Sequence, residues 1–458
     1  MTSRHPWFIV SLLVGGLAAW MDLGTLHDFG HADSLLPVLV STQRWTPFFW
    51  GQDRFGMLVP LLAMPIHHPL ANLLAQAWLT VSAALLAPFV VARFVTGRGA
   101  DWIAIGACTN LLFLLIALPE VQFDWLVAQP YGMSICVGFA GLIIGDRSAR
   151  AGDGLAGLVL LALACWINIA IVVMTAIVAV ARGSRPARLI VLVAAGAAPA
   201  AVLAAYGATV HTVTTILPPR QWLDGWRQLY ENSFGVTARP AIAAVVLAAA
   251  AAAIGWLWKI GAPLPWRPAA AAAAMALGSW LVSGTSLWIG MNRYVFRYMY
   301  PTLMLAAICA SIVLVALLAR RLRALSLTAL ILFAAVAVVQ YGTPSFGRVE
   351  RGIDARFGGL TPAVLRSGAT VIAGDYWRVW PAVFHANLAL ARAHSQARVF
   401  GLAPRSEATD ALWKIAGQRT LIAAAPGDAS VGPTAEEHGV AISLLEHRPG
   451  IDLYVVQP

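Results

Sequence analysis

The sequence predicts an α-helical polytopic membrane protein with about eleven transmembrane helices and a small C-terminal α/β extramembrane domain. Three observations carry this reading. The chain of 458 residues is 59% hydrophobic and only 11% charged, with a mean hydropathy of +0.74. Apolar runs of about 18 residues or more recur along it. They are continuous rather than alternating, as in LIVLVAAGAAPAAVLAAY and AIAAVVLAAAAAAIGWLW, which favours helices over a membrane barrel. Beyond Tyr341 the material changes to short apolar runs separated by turn residues, the mark of strands in a water-exposed domain.

The net charge of +10 raises the question of nucleic acid. Many of the basic residues sit in short connections between apolar runs, so membrane topology explains them and no nucleic-acid partner is expected. Cys108, Cys136, Cys165 and Cys309 all lie inside apolar runs without metal-ligand spacing and read as buried thiols.

The first apolar run, 7–21, follows one arginine and lacks a small-residue cleavage site, so it reads as a retained anchor. Basic connections occur at Arg4, 93–98, 147–150, 182–188, 259–267 and 320–323. Placing all of them in the cytoplasm gives a consistent path. The N-terminus is then cytoplasmic, residues 22–69 form a first outer loop, and 70–94, 102–118 and 131–145 cross the membrane. The run 155–181 would span roughly 40 Å as one helix, against a hydrocarbon core of about 30 Å. Both its ends are basic, so two short passes meeting near Asn168 fit better. Further passes follow at 189–206, 241–258, 269–288, 301–319 and 325–341.

The transmembrane part therefore covers 1–341. The tail, 342–458, falls on the outer side. Its expected strands are TVIAG, RVFGL, TLIAAAPG, VAISLLE and DLYVVQ, with helix-like stretches at 381–393 and 407–417. This pattern suits a bacterial inner membrane with a periplasmic C-terminal domain.

The first outer loop concentrates Asp22, His27, Asp28, His31, Asp33 and Asp53, and acidic side chains near lipid need a use or an aqueous escape. Asp22 reads as a boundary residue. If the segment is helical, His27 and His31 share a face with Asp28 beside them, a geometry for a divalent metal. Gly24 and Gly30 disfavour that helix, and hydrogen-bonded histidines are the alternative. Asp33 precedes the apolar-periodic Leu35, Leu36, Val38, Leu39 and Val40, which suits a helix on the membrane surface. It reads either as that helix's cap or as a catalytic carboxylate. The later stretch TPFFWGQDRFGMLVPLLAMPIHHP suggests a second interfacial segment.

This layout resembles the GT-C superfamily of polytopic glycosyltransferases, with the protein mannosyltransferases and aminoarabinose transferases as examples. Asp33-Ser34 stands where those relatives often carry Asp-Glu, and Trp45-Thr46-Pro47 and Trp50-Gly51-Gln52 follow at compatible distance. Ser34 is the departure, since a paired carboxylate is missing.

The resemblance implies sugar transfer from a polyprenyl-phosphate-linked donor to a glycan, lipid or protein acceptor on the outer face. Asp33 and Asp28 are then the candidate acids of catalysis. Cations for the departing phosphate are Arg293 and Arg297 in GMNRYVFRYMYP, expected one turn apart on a helix, and Arg220. Those arginines sit on the outer side against the positive-inside bias, and interfacial anchoring beside lipid headgroups is the alternative. Gln52, Trp50 and Tyr294 are expected to line the substrate cavity.

Glu120, Gln122, Asp124 and Gln129 read chiefly as a solvated outer loop, with a place in the lining of the same cavity as the alternative, and GDYWRVW (374–380) as a strand-to-helix turn or a glycan contact. No phosphate-cradling glycine loop, Rossmann fingerprint or triad signature occurs, so a soluble-nucleotide donor is unsupported. No cofactor is required by these residues beyond the metal that His27 and His31 suggest. The competing functions are a transporter or flippase for a lipid-linked saccharide, to which the break near Asn168 points, and a non-catalytic envelope-assembly protein.

Overall fold

The computed structural model describes residues 5–49, 52–97, 101–147, 151–181, 186–207, 215–236, 259, 265–318, 322–403, 420–424, 441–448 and 451–456. The apolar runs form helices: α1 (His5–Phe29), α4 (Pro69–Thr96), α5 (Asp101–Ile116), α7 (Tyr131–Arg147), α8 (Ala151–Ile167), α9 (Ile171–Ala181), α10 (Pro186–Gly207), α12 (Trp266–Thr285), α14 (Tyr300–Leu317) and α15 (Leu322–Tyr341). Among the described residues five helices are long and apolar enough to cross a membrane, or six if one bent pair is a single span. The chain is a multi-pass membrane protein. The expected pass at 241–258 lies outside the described residues.

These helices are apolar all round, as membrane spans must be. Phe8, Leu12, Val191 and Val339 are exposed on the bundle and face lipid. Inside, small residues allow backbones to approach. A Cβ on Gly157 would sit 2.8 Å from the Gly141 carbonyl oxygen, so α7 and α8 meet through a glycine contact that no larger residue permits.

The long run 155–181 is broken where expected. α8 stops at Ile167 and α9 restarts at Ile171. Asn168 Oδ1 accepts from the Ala170 N–H at 3.0 Å, and Ser134 Oγ donates to the Ala164 carbonyl at 2.9 Å. The Asn168 side chain thus satisfies a backbone N–H at the break, while the Ser134 hydroxyl adds a second donor to the Ala164 carbonyl, which already accepts from the Asn168 N–H.

α1 runs on to Phe29 and so contains Asp22, His27 and Asp28. Gly30 ends it, and α2 (Ala32–Thr42) begins at once with His31 as its N-cap. A two-stranded hairpin, β1 (Phe48–Phe49) and β2 (Gln52–Gly56), and the short α3 (Leu58–Ala63) complete the loop. Leu61 and Leu62 are exposed, as an interfacial segment requires.

α2 departs from the expected surface helix. Leu35, Leu36, Val38, Leu39 and Val40 are all buried, in one core with Ile353, Phe357, Val379, Trp380, Val383 and Phe384 from the C-terminal region. The apolar face that would have met lipid is covered by protein instead.

The covering unit holds a five-stranded sheet of order β4-β3-β5-β7-β6, with β3 (Val371–Gly374), β4 (Phe400–Leu402), β5 (Thr420–Ala424), β6 (Ile442–Arg448) and β7 (Ile451–Val456). β3 pairs parallel with β4 and β5, and β7 pairs antiparallel with β5 and β6. All five predicted strand runs are strands, while the stretch 407–417 lies outside the described residues.

α18 (Tyr376–Arg392) packs on β3 and β4, and α16 (Phe346–Phe357) and α17 (Thr361–Ser367) pack on α18. α16 lies against α1, where a Cβ on Gly352 would come 2.4 Å from His27 Cβ. Gln43 Nε2 at the end of α2 donates to the Val399 carbonyl at 2.8 Å. The first loop and the C-terminal sheet unit are therefore packed as one body at one end of the bundle.

Candidate functional site

Asp33 stands in the first turn of α2, placed there by a cap on each side of the chain. His31 Nδ1 accepts from the Asp33 N–H at 3.2 Å, and the His31 N–H donates to Ser34 Oγ at 3.1 Å. The helix cap is therefore His31, not Asp33, and Ser34, the apparent departure, closes the capping box. Freed from capping, the Asp33 carboxylate points inward and is 3% exposed.

Three groups far apart in sequence converge on it. Arg297 Nη1 donates to Asp33 Oδ2 at 2.8 Å, Tyr376 Oη donates to Asp33 Oδ1 at 2.7 Å, and Gln129 Nε2 approaches Oδ2 at 3.4 Å. A buried charge is tolerable only when paired and hydrogen-bonded on its remaining lone pairs, and this set meets that condition.

The Arg297 guanidinium keeps capacity beyond Asp33. Its Nη2 makes only a long contact of 3.4 Å with Asn292 Oδ1, and its Nε is buried without a hydrogen-bond partner among the described residues. The neighbouring Tyr298 hydroxyl is likewise unpaired among them, and Tyr298 lines a cavity of about 460 Å³. That cavity is walled mainly by apolar side chains of the bundle, among them Ile135, Ile169, Met174, Val282 and Ile289. Arg297 is not itself in the lining, and Tyr298, its chain neighbour, with Arg297 Cζ 5.3 Å from the Tyr298 ring centroid, connects the apolar chamber to the charged pair.

Arg293 and Arg297 are not one turn apart on a helix. After the short α13 (Leu287–Met291), Arg293 and Tyr294 take left-handed backbone angles, φ 54° and 51°, and the chain then enters a short 3-10 turn over Phe296–Met299. Asn232 Nδ2 donates to the Arg293 and Tyr294 carbonyls at 3.0 and 3.2 Å, holding this reversal. As a result Arg297 turns inward while Arg293 stays exposed. Tyr294 packs with Leu217, Leu229 and Met299 instead of lining the cavity.

The other expected site residues stand apart from Asp33. Arg220 is exposed in the turn before α11 (Trp222–Val236). Asp28 is exposed at the end of α1, with Oδ2 3.1 Å from His27 Nε2. Gln52 is in β2, its backbone paired with Phe49, and Trp50 lies outside the described residues.

His27 and His31 do not share a helical face, because Gly30 separates them and each has its own carboxylate: Asp28 for His27 and Asp124 for His31, the latter at 2.8 Å. Among the described residues no three His, Cys, Asp or Glu side chains gather as a metal site would require.

Of the two readings of residues 120–129, the solvated loop is corrected, since the segment packs beside Asp33 and His31. α6 (Pro119–Leu126) forms there. Gln122 and Gln129 are buried, Asp124 holds His31, and Gln129 reaches Asp33; only Glu120 is exposed. Tyr376 is the residue that sequence reasoning missed. It opens α18 directly after β3, in the GDYWRVW stretch, where Asp375 Oδ1 caps the helix by accepting from the Trp377 N–H at 3.0 Å.

No family model matches the sequence, and no curated protein does. Among solved structures, the crystal structure of ArnT from Cupriavidus metallidurans bound to undecaprenyl phosphate is similar in fold, with a TM-score of 0.54 and 13% sequence identity. The similarity covers 99% of this chain and 98% of that one. The fold is therefore similar to that of ArnT over nearly the whole chain.

Proposed function

We propose that this protein is a membrane glycosyltransferase. In this reading it transfers a sugar from a polyprenyl-phosphate-linked donor to a glycan, lipid or protein acceptor. The observation that carries this reading is the buried Asp33–Arg297 pair at 2.8 Å, with Tyr298 beside it opening onto the apolar cavity. The fold likeness supports it, since the similar ArnT structure holds undecaprenyl phosphate.

The chemistry assigned to the residues is direct. An acceptor hydroxyl or amine attacks the anomeric carbon, and Asp33 accepts its proton as the new bond forms. The bond from that carbon to the phosphate oxygen breaks, and the polyprenyl phosphate leaves with the electron pair. Arg297 meets the developing charge through the donors that Asp33 does not occupy, and the Tyr298 hydroxyl adds another. Tyr376 and Gln129 fix the Asp33 carboxylate, while His31 fixes the helix that carries it. Arg293 and Arg220, exposed at the same end, serve at most to gather anionic substrate.

The short basic connections support an orientation with the N-terminus in the cytoplasm and the Asp33 site on the outer face of a bacterial inner membrane. Residues 1–341 then form the transmembrane domain and 342–458 a periplasmic one. The test is transfer from a radiolabelled lipid-phosphate sugar in proteoliposomes. Asp33→Asn is expected to lower transfer at least a hundredfold with normal protein levels, and undiminished transfer would overturn the assignment. The helix break at Asn168 favours a transport reading, which predicts movement of a lipid-linked saccharide across the vesicle without any transfer.

A further inference from the structure

A second cavity, of about 590 Å³, adjoins the site at His31. Its floor is Gly30, His31 and Ala32, the turn that leads into α2, and its walls include Phe357, Leu360, Trp377 and Arg378 from the C-terminal unit. It shares a partition with the Asp33 site. His31 Nδ1 holds the Asp33 N–H, and Tyr376, which holds Asp33 Oδ1, is the chain neighbour of Trp377.

The cavity is cationic. Arg356 and Arg378 both line it, and no acidic side chain does among the described residues. Each guanidinium donates to a backbone carbonyl, Arg356 to Asp28 and Arg378 to Ala424. Neither has a carboxylate partner among the described residues. The carboxylates nearby are committed elsewhere: Asp28 to His27, Asp124 to His31, and Asp375 to the α18 cap.

Trp377 is 46% exposed, although it meets the His31 ring edge-on at 5.9 Å between centroids and Tyr376 at 5.2 Å. A large aromatic surface half open to a cationic cavity suits a ligand with both apolar C–H faces and a negative group. A sugar ring carrying phosphate or carboxylate has both. A neutral sugar would leave two arginines without use, and a bare inorganic anion would leave the indole without use.

We infer that this cavity holds an anionic saccharide unit of the acceptor, with Arg356 and Arg378 on its charged group and Trp377 against its ring. The inference rests on the glycosyltransferase reading, but its test does not depend on transfer. The full chain in detergent would be titrated with glucose 1-phosphate, glucuronate, glucose and inorganic phosphate. The readout is the tryptophan fluorescence change, with Trp377→Phe as the subtraction control.

The charged sugars are expected to bind at least tenfold tighter than glucose. Arg356→Gln and Arg378→Gln should each weaken charged-sugar binding at least fivefold while the thermal transition persists. Arg378→Gln is the second, independent arm, because Arg356 also contacts the end of α1. Equal affinity for glucose and glucose 1-phosphate, or unchanged affinity in the well-folded double variant, would overturn the inference. Inorganic phosphate binding as tightly as glucose 1-phosphate would overturn it as a saccharide site. Charged-sugar binding retained in Asp33→Asn alongside undiminished transfer by that variant would defeat the catalytic assignment and leave this site standing.

Discussion

The Tyr376 hydroxyl lies 2.7 Å from Asp33 Oδ1, across 343 residues of sequence. One comes from the C-terminal sheet unit and the other from the first loop, so the catalytic carboxylate proposed here is positioned by a part of the chain in which no described helix is long and apolar enough to cross a membrane. A hydrogen bond to a charged group contributes about 1.5–3 kcal/mol. Tyr376→Phe keeps the ring that packs against Trp380 and removes only that bond. Transfer is expected to fall at least tenfold in kcat with little change in donor KM, measured in steady state on reconstituted protein. An unchanged kcat would show that Tyr376 is packing alone.

Arg297 makes a sharper energetic demand. Both it and Asp33 are buried, and removing one partner of such a pair costs about 3–5 kcal/mol because the other charge is stranded. Arg297→Gln should therefore lower thermal stability as well as transfer. In the double variant Asp33→Asn with Arg297→Gln the stranded charge is gone. It should recover part of the lost stability while remaining inactive. Equal melting temperatures for the single and double Arg297 variants would contradict the pairing.

Much of the membrane architecture is legible because each span must be apolar on its own, without reference to its neighbours. The break near Asn168 follows from length against bilayer thickness, and the strands of the tail from their turn-bounded runs. Asp33 and Arg297 stand out singly, as charges at a membrane boundary. Their pairing does not, since 264 residues separate them and nothing local in either segment encodes the other. The burial of α2 is hidden for the same reason. An apolar face reads alike whether lipid or a distant helix covers it, and here α18 does. The turn at Arg293 and Tyr294 is also illegible, because both residues lack the usual preference for a left-handed backbone and are held there by Asn232.

His31 links the helix that carries Asp33 to Asp124. Its Nδ1 accepts from the Asp33 N–H, and its Nε2 meets Asp124 Oδ1 at 2.8 Å; together these contacts set both the tautomer and the ring plane. Loss of an N-cap costs about 0.5–2 kcal/mol. His31→Ala is expected to lower kcat several-fold through a misplaced Asp33, and His31→Asn, which can still cap, should restore part of it. Asp124→Asn should fall between wild type and His31→Ala. Identical kcat in His31→Ala and His31→Asn would show that the cap does not position Asp33.

The C-terminal unit should lose stability in mild acid through one buried histidine. His385 is fixed between Thr361 Oγ1 at 2.7 Å and Asp354 Oδ1 at 3.0 Å, in the seam between α16 and α18. Burial pushes its pKa below the usual 6.5, with the Arg392 charge adding to that and Asp354 opposing it. For Asp354, burial acts upward, but hydrogen bonds and charge from Arg392 and His385 outweigh it and hold the carboxyl below 3.8. The unfolded chain therefore binds a proton at His385 more readily than the folded one does. Stability is full above about pH 6.5 and declines as pH falls toward the lower folded value. The Asp354 contribution has the same sign but is lost only below about pH 3.8. Thermal unfolding of the full chain in detergent should show a lower transition temperature at pH 5.5 than at pH 7.5. His385→Gln, which keeps a hydrogen-bonding amide without a titrating ring, should flatten that difference. A transition that shifts equally with pH in the variant would place the sensitivity elsewhere.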